Sequence, residues 1–137
     1  MLFQGKSKCN VQQSIIVSAE NGVKHIAHNK DRDNVFQYKI DGDVIPSTSP
    51  GLRCDYLLEN ETKSKVYLIE LKGTDVSHAV DQIEATINRY REALKAYTIM
   101  PRIVYRGNTH SVNSSKVVGF KRKYPCIIKT DVIEESI

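Results

Sequence analysis

The hydrophobic pattern changes its period near residue 73, and this change most constrains the fold. Before it, short apolar and β-branched runs alternate with turn residues, whereas Val76 to Tyr97 places apolar residues three and four positions apart. Short runs between turns are typical of strands, and the second spacing is typical of an amphipathic helix. The sequence therefore predicts an α/β fold in which strands precede a long helix.

The residues before the helix predict an antiparallel arrangement. Ser14 to Ser18 and Val23 to Ala27 flank a turn at Glu20-Asn21-Gly22, which is typical of a β-hairpin. Further strands are predicted over 35–40, 52–58 and 65–71. We expect the hairpin and these strands to form a meander.

One helix is predicted over 76–97, with Asp75 or Ser77 as its N-cap. The same apolar stripe would fit a coiled-coil seam, but its place between strands favours packing on the sheet. The later elements are a strand over 99–105, a weaker helix over 114–124 and a last strand over 126–130. This order predicts a mixed β-sheet flanked by helices.

The length of 137 residues fits a single domain over 1–137. Residues 1–8 are set aside as a tag remnant or disordered segment, because Leu2-Phe3-Gln4-Gly5 resembles a protease site used to remove tags. No apolar run reaches the roughly 18 residues of a membrane span. The odd number and wide spacing of Cys9, Cys54 and Cys126 favour reduced thiols, so a cytoplasmic location is expected.

Positive charge is concentrated toward the C-terminus. Residues 1–88 carry 10 Lys and Arg against 12 Asp and Glu, whereas residues 89–137 carry 10 against 4. This asymmetry favours a polyanionic partner, although a solvated surface complemented by acidic residues elsewhere is the alternative. The predicted nucleic-acid-binding residues are Arg89, Arg102, Arg106, Lys116, Lys121, Arg122 and Lys123.

Glu70 and Lys72 end an apolar strand, and Asp55 lies in the strand predicted before it. Because strand side chains alternate, Glu70 and Lys72 share one face of their strand. The same rule places Asp55 on the face opposite Cys54. Two carboxylates and the backbone carbonyl of Leu71 would suit Mg²⁺ or Mn²⁺, and an ammonium could assist an attacking water.

The Glu-x-Lys tripeptide is weak on its own, because it also occurs at Glu61-Thr62-Lys63 in a polar connection. Only Glu70-Leu71-Lys72 ends an apolar strand, follows Asp55 and precedes an amphipathic helix. The alternative interpretation is that Glu70 and Lys72 form an exposed ion pair without function.

Asp55, fourteen intervening residues, Glu70-Leu71-Lys72 and the helix resemble the PD-(D/E)xK nuclease superfamily over residues 52–106. The resemblance implies a restriction-endonuclease-like fold and Mg²⁺- or Mn²⁺-dependent endonucleolytic cleavage, of DNA rather than RNA. It also implies that Asp55 and Glu70 are metal ligands and Lys72 the catalytic lysine. Gln82 matches a polar helix position that supports the site in some members. A homodimer is expected, as in many small members.

Three features depart from the family pattern. Cys54 stands in place of the proline, Thr86 stands where some members carry a tyrosine, and a hairpin replaces the usual N-terminal helix. That helix often carries a further acidic ligand, for which Asp41, Asp43 and Glu20 are candidates, with Asp41 assigned a supporting role. Two other functions stay open: a catalytically silent nucleic-acid-binding or adaptor module, and a protein-interaction domain that uses the helix stripe.

Other reactive side chains give no competing site. His25 and His28 are three apart in a predicted strand and face opposite ways, which argues against zinc. His78 and His110 are read as surface residues, and Cys54 as a packed thiol.

Overall fold

A computed structural model describes residues 1–72, 74–107 and 111–137, apart from the side chain of Ser111. The strands of these ranges are β1 Ile15–Glu20, β2 Val23–His28, β3 Val35–Lys39, β4 Tyr56–Asn60, β5 Lys65–Leu71, β6 Thr98–Tyr105, β7 Ile127–Thr130 and β8 Val132–Ser136. The helices are α1 Val76–Arg89, α2 Arg91–Leu94 and α3 Ser115–Lys123, with a 3-10 turn at Ser111–Asn113. None of the helices in the described ranges is long and apolar enough to cross a membrane. His110 lies outside these ranges.

The larger sheet has the strand order β3-β4-β5-β6-β7. The strands β3, β4 and β5 form an antiparallel meander, while β5, β6 and β7 are parallel. The prediction of an α/β fold with a mixed sheet is confirmed. The helix α1 connects the parallel strands β5 and β6, as parallel strands require a crossover.

The predicted hairpin is confirmed, but its place in one meander with the later strands is wrong. The strands β1 and β2 form a separate sheet of order β1-β2-β8, in which β8 runs parallel to β2. The strand β8 was not predicted; it contains Glu134 and Glu135 and follows β7 after the single residue Asp131. The positive φ of 65° at Asp131 turns the chain from one sheet to the other.

The strand β5 separates two hydrophobic clusters, as its alternation predicts. Val66 and Leu68 pack in a cluster with the apolar residues of α1 and α3. Tyr67, Ile69 and Leu71 point to the opposite cluster, which lies between the large and the small sheet. The helices therefore cover one face of the large sheet and the small sheet covers the other. The α1 stripe is buried against the sheet, as expected.

The predicted helix over 76–97 is interrupted at Tyr90. Asp75 is the N-cap, and its Oδ1 accepts a hydrogen bond of 2.9 Å from the N–H of His78. At Tyr90 the backbone (φ −111°, ψ 25°) departs from helical geometry, and α2 follows. The Tyr90 ring packs edge-on against Phe3, with centroids 5.0 Å apart.

The first residues of the chain also contact the core. Phe3 packs edge-on against Tyr38 at a centroid distance of 5.0 Å, and the N–H of Leu2 donates 2.9 Å to the buried Glu59 carboxylate. Residues 1–8 therefore stand in contact with the fold rather than apart from it.

Candidate active site

Asp55 and Glu70 meet because β4 and β5 pair in antiparallel register. Tyr56 is opposite Ile69, so one further step places Asp55 opposite Glu70. The N–H of Leu71 donates 2.8 Å to Asp55 Oδ2, which holds the two segments together. Both carboxylates are buried, with Asp55 7% and Glu70 2% exposed. The structure thus brings together the two predicted metal ligands.

The predicted strand over 52–58 is wrong at its start, because β4 begins only at Tyr56. Asp55 and Cys54 therefore lie in the segment before the strand, where strict alternation does not apply. Alternation would place Cys54 and Leu57 on opposite faces, but both pack in the same hydrophobic cluster. Burial raises the pKa of the Cys54 thiol, which agrees with the prediction of a packed thiol.

Burial raises the pKa of both carboxyl groups above their ordinary values. The N–H of Leu71 opposes this effect on Asp55, whereas the nearby Glu20 carboxylate adds to it. For Glu70, the charge of Asp55 adds to the effect of burial, and the Lys72 ammonium opposes it. Two buried like charges repel each other, so this pair favours either a proton or a cation between or beside them.

Lys72 lies beside Glu70 on the same face of the sheet, as predicted. Its Nζ is 3.8 Å from Glu70 Oε2, and its side chain is partly exposed. The backbone N–H of Lys72 donates 2.8 Å to the carbonyl of Val104, which extends the pairing of β5 with β6. The ammonium can therefore reach both the carboxylate pair and the solvent.

Glu20 is the further acidic residue that the structure places next to Asp55. It ends β1, and its carboxylate raises the pKa of Asp55. Lys39 Nζ lies 2.6 Å from Glu20 Oε1, so this carboxylate has its own counter-ion.

The other two acidic candidates are engaged elsewhere. Asp41, for which a supporting role is predicted, lies close enough to raise the pKa of Asp55. However, its Oδ1 accepts a hydrogen bond of 3.0 Å from Arg53 Nε. Asp43 pairs with Lys6 and Lys8 at 3.3 and 3.1 Å. A hairpin, rather than an N-terminal helix, therefore supplies the extra carboxylate.

The helix α1 braces the segment that carries Asp55. Gln82 Nε2 donates a hydrogen bond of 3.4 Å to the carbonyl of Arg53. The N–H of Cys54 donates a hydrogen bond of 2.8 Å to the Thr86 hydroxyl. Thr86 in turn donates 3.0 Å to the carbonyl of Gln82. Gln82 thus has the expected position beside the site. Thr86, which departs from the family pattern, was not predicted to contact the site, but its hydroxyl links the helix to this segment.

Two buried oxygens near this segment have no hydrogen-bond partner among the described residues. They are Glu70 Oε1 and Gln82 Oε1. Buried polar atoms are nearly always satisfied by protein, water or ions, so each oxygen is available to a cation or its bound water. Within the described ranges, no group of three or more His, Cys, Asp or Glu side chains forms a metal site.

The predicted carbonyl ligand already has one protein partner. The Leu71 carbonyl accepts 2.8 Å from Asn21 Nδ2, at the tip of the β1–β2 hairpin. A carbonyl oxygen has two lone pairs, so one acceptor site is left. Asn21 was predicted as part of a hairpin turn but not as a residue that contacts the site.

A cleft of about 610 Å³ opens next to Lys72. Its lining residues come from the hairpin tip, from the segment between β5 and α1, and from the residues after β6: Asn21, Lys72, Thr74, Asp75, Arg106 and Gly107. Lys72 therefore connects the carboxylate pair to an open space that a polymer could enter.

Arg102 was predicted to bind nucleic acid, and the structure contradicts this. It is 3% exposed and points into the interior between the two sheets. Its Nε and Nη2 donate 2.7 and 3.0 Å to Glu135, and its guanidinium lies 5.3 Å from the Tyr67 ring centroid. A positive residue on a central strand alternates like any other, and its acidic partner comes from the missed strand β8.

The remaining basic residues are divided between the cleft and the helices α1 and α3. Arg106 lines the cleft, and Lys116 pairs with Asp81 on α1 at 2.9 Å. Arg89 and the segment 121–123 are exposed. Tyr124, directly after that segment, lines a pocket with Ile87. Arg89 and residues 121–123 therefore lie toward the C-terminal end of α1, away from the cleft.

The two histidines of β2 contact different glutamates. His25 Nε2 lies 2.8 Å from Glu135 and His28 Nε2 lies 2.6 Å from Glu134. The two rings therefore contact different carboxylates, which agrees with the prediction that they face opposite ways.

No protein-family model matches the chain, and neither a curated protein nor a solved structure matches it. The resemblance to the nuclease superfamily therefore rests on the arrangement of Asp55, Glu70, Leu71 and Lys72.

Proposed function

We propose that the protein is a metal-dependent nuclease that hydrolyses phosphodiester bonds, as a DNA endonuclease. The observation that supports this most is the buried pair of Asp55 and Glu70, with Lys72 Nζ 3.8 Å from Glu70. Two adjacent buried carboxylates are costly to keep ionised unless a cation neutralises them. Lys72 lies between this pair and an open cleft, which favours a functional site over a structural ion pair.

The residues fit Mg²⁺ or Mn²⁺. Asp55, Glu70 and the Leu71 carbonyl would hold the ion, with Glu20 beside Asp55 as a further oxygen donor. Hard cations prefer oxygen ligands and keep several waters, so two carboxylates and one carbonyl suffice. When bound, such an ion lowers the pKa of a water and offsets negative charge on a phosphate.

Lys72 would act on the reacting groups. Its ammonium is partly exposed, borders the cleft and lies close to the carboxylate pair. From there it can orient the attacking water or stabilise the negative charge that develops on the phosphate. Asp55 and Glu70 would bind the metal, while Gln82 and Thr86 keep the Asp55 segment in place.

A second candidate is a catalytically silent nucleic-acid-binding or adaptor module. Glu20 is bound to Lys39 at 2.6 Å, and the Leu71 carbonyl accepts from Asn21. Both contacts occupy oxygens that a metal would use. In this alternative, the fold and the basic residues would bind nucleic acid without cutting it.

Cleavage assays separate the two candidates. Wild type and Lys72→Ala are incubated with linear duplex, branched and single-stranded DNA and with RNA, with and without Mn²⁺. We expect metal-dependent cutting of DNA by the wild type and its loss in the variant. Lys65→Ala, on the same strand at its other end, is the matched control and should cut normally.

Calorimetric titration with Mn²⁺ adds a readout independent of turnover. Glu70→Gln should abolish binding of the ion, whereas Glu61→Gln in the other Glu-x-Lys tripeptide should retain it. Absence of cutting on every substrate, or equal cutting by wild type and Lys72→Ala, would refute the proposal. Gel retardation of DNA without cleavage would favour the silent module.

A further inference from the structure

The cleft beside Lys72 contains a second cation that the proposed chemistry does not use. Arg106 follows the end of β6, and its Nη1 donates 3.2 Å to the backbone carbonyl of Asn21. The Asn21 side chain donates 2.8 Å to the Leu71 carbonyl. One hairpin residue thus contacts both Arg106 and the expected carbonyl ligand.

The hairpin turn fixes where this guanidinium lies. Gly22 has a φ of +76°, and a Cβ at this position would lie 2.6 Å from Arg106 Nη1. The guanidinium therefore rests directly against the glycine, and a side chain there would displace it. Asn21, at φ 54°, adopts the left-handed conformation that Asn-Gly turns favour.

The charges around the cleft leave Arg106 available to an anion. Its hydrogen bond to Asn21 uses a neutral carbonyl, and no carboxylate of the described ranges pairs with it. Asp75 also lines the cleft, but one of its oxygens caps α1 through the N–H of His78. A guanidinium has five N–H donors in a planar fork, which suits the oxygens of a phosphate.

We propose that Arg106 and Lys72 form a subsite for a backbone phosphate of nucleic acid, next to the phosphate that is cut. The Asn21-Gly22 turn is its positioning element, because it orients Arg106 and contacts the Leu71 carbonyl. The assignment to a neighbouring phosphate rests on the proposed nuclease function. Binding of a phosphodiester in the cleft does not require cleavage.

The test measures binding of a fluorescein-labelled 20-base-pair DNA duplex by anisotropy, in EDTA and over a series of salt concentrations. Arg106→Gln should weaken binding about 5- to 10-fold and reduce the slope of log K against log salt by about 1. Arg32→Gln is the matched control, because it removes the same charge from an exposed position beyond the far end of β2, about 20 Å from the hairpin tip. This control should change the DNA affinity and the salt slope less than Arg106→Gln does.

Gly22→Ala tests the positioning element. Circular dichroism and thermal melting first establish that the variant is folded. We expect it to weaken DNA binding by a factor similar to that of Arg106→Gln. In the double variant, Gly22→Ala should cause no further loss, because the guanidinium it displaces is already absent.

The outcomes separate this inference from the nuclease proposal. Equal DNA affinity of Arg106→Gln and Arg32→Gln, or no binding of the duplex by the wild type, would overturn the subsite even if metal-dependent cleavage is observed. A specific loss in Arg106→Gln supports the subsite even if no substrate is cut. Additive effects of Gly22→Ala and Arg106→Gln would overturn the role of the turn.

Discussion

Lys39 Nζ lies 2.6 Å from Glu20 Oε1, so one of the carboxylates next to the candidate metal site is already paired with an ammonium. The bond to Glu20 raises the pKa of Lys39, which keeps this ammonium charged at neutral pH. The same charge also interacts with Asp55. Lys39 therefore competes with a metal ion for these oxygens.

Replacement of Lys39 by Met should strengthen metal binding. Removal of a nearby positive charge near the protein surface changes an interaction by about 1 kcal/mol, so we expect the Mn²⁺ dissociation constant to fall about 5-fold. Calorimetric titration measures this, with Lys6→Met as a control, since Lys6 pairs with Asp43 instead. Weaker Mn²⁺ binding by Lys39→Met would mean that Lys39 organises Glu20 for the metal.

Glu70→Gln should stabilise the metal-free protein at alkaline pH. Because burial raises the pKa of Glu70, the fold favours the protonated acid, and ionisation destabilises it progressively above pH 4.5. In EDTA, we expect the free energy of unfolding of the variant to exceed that of the wild type by about 1 to 3 kcal/mol at pH 8. Near pH 4 the two values should be equal. Urea unfolding across this range provides the measurement.

Two comparisons make that result specific to the site. Glu61→Gln, in the other Glu-x-Lys tripeptide, removes only an exposed pair with the N-terminal ammonium and should keep the fall in stability of the wild type between pH 4 and pH 8. Added Mn²⁺ should stabilise the wild type and leave Glu70→Gln unchanged, because a ligand that binds the folded state raises its stability. A wild type as stable at pH 8 as the variant, in EDTA, would contradict the effect of burial.

Arg102→Ala should lower the free energy of unfolding of the protein and should not act through lost DNA contacts. Removal of one partner of a buried ion pair costs about 3 to 5 kcal/mol, so the melting temperature should fall by about 10 °C or more. Arg122→Ala, an exposed arginine on α3, should change stability by no more than about 0.5 kcal/mol. A folded Arg102→Ala with an unchanged melting temperature and weaker DNA binding would restore its role at the surface.

The partner of Arg102 adds a pH signature to the same variant. Burial alone would raise the pKa of Glu135, but hydrogen bonds from His25 and Arg102 lower it to about 2. A lowered folded-state pKa stabilises the protein above pH 4.5, and that stability is lost as the pH falls toward 2. This acid-dependent loss should be smaller in Arg102→Ala.

The basic segment 121–123 should contribute to affinity and not to turnover. Simultaneous replacement of Lys121, Arg122 and Lys123 by Ala should weaken DNA binding across sequences and reduce the salt slope by about 2 to 3. The rate of cutting at saturating DNA should be unchanged, because the segment lies away from the cleft. Lys24→Ala with Lys30→Ala controls for general loss of charge, and an equal effect there would remove 121–123 from the interface.

Local rules predicted much of the site. Alternation along β5 placed Glu70 and Lys72 on one face, and the Asn-Gly dipeptide predicted the hairpin. These features depend on residues close in sequence. The exact start of β4 did not follow from propensity, because Cys54 and Asp55 are held by Thr86 and Leu71, which are distant in the chain.

Long-range pairing explains what the sequence could not predict. Glu20 reaches Asp55 because the hairpin lies on the large sheet, which in turn depends on pairing with β8. The burial of Arg102 depends on Glu135 of the same strand. No periodicity in residues 132–136 indicates a parallel partner more than a hundred positions earlier.

The parallel pairing of β2 with β8 also sets an order of assembly. Residues 24–28 are paired with residues 132–136, so the small sheet cannot close until the ribosome has made nearly all of the described chain. Contacts this distant in sequence form late, because the intervening loop must first be ordered. Asn21 and Glu20 depend on that sheet, so the pocket around Asp55 should mature last. A nascent chain would thus contain the hairpin, Glu70 and Lys72 before it contains β8, the strand that completes the small sheet.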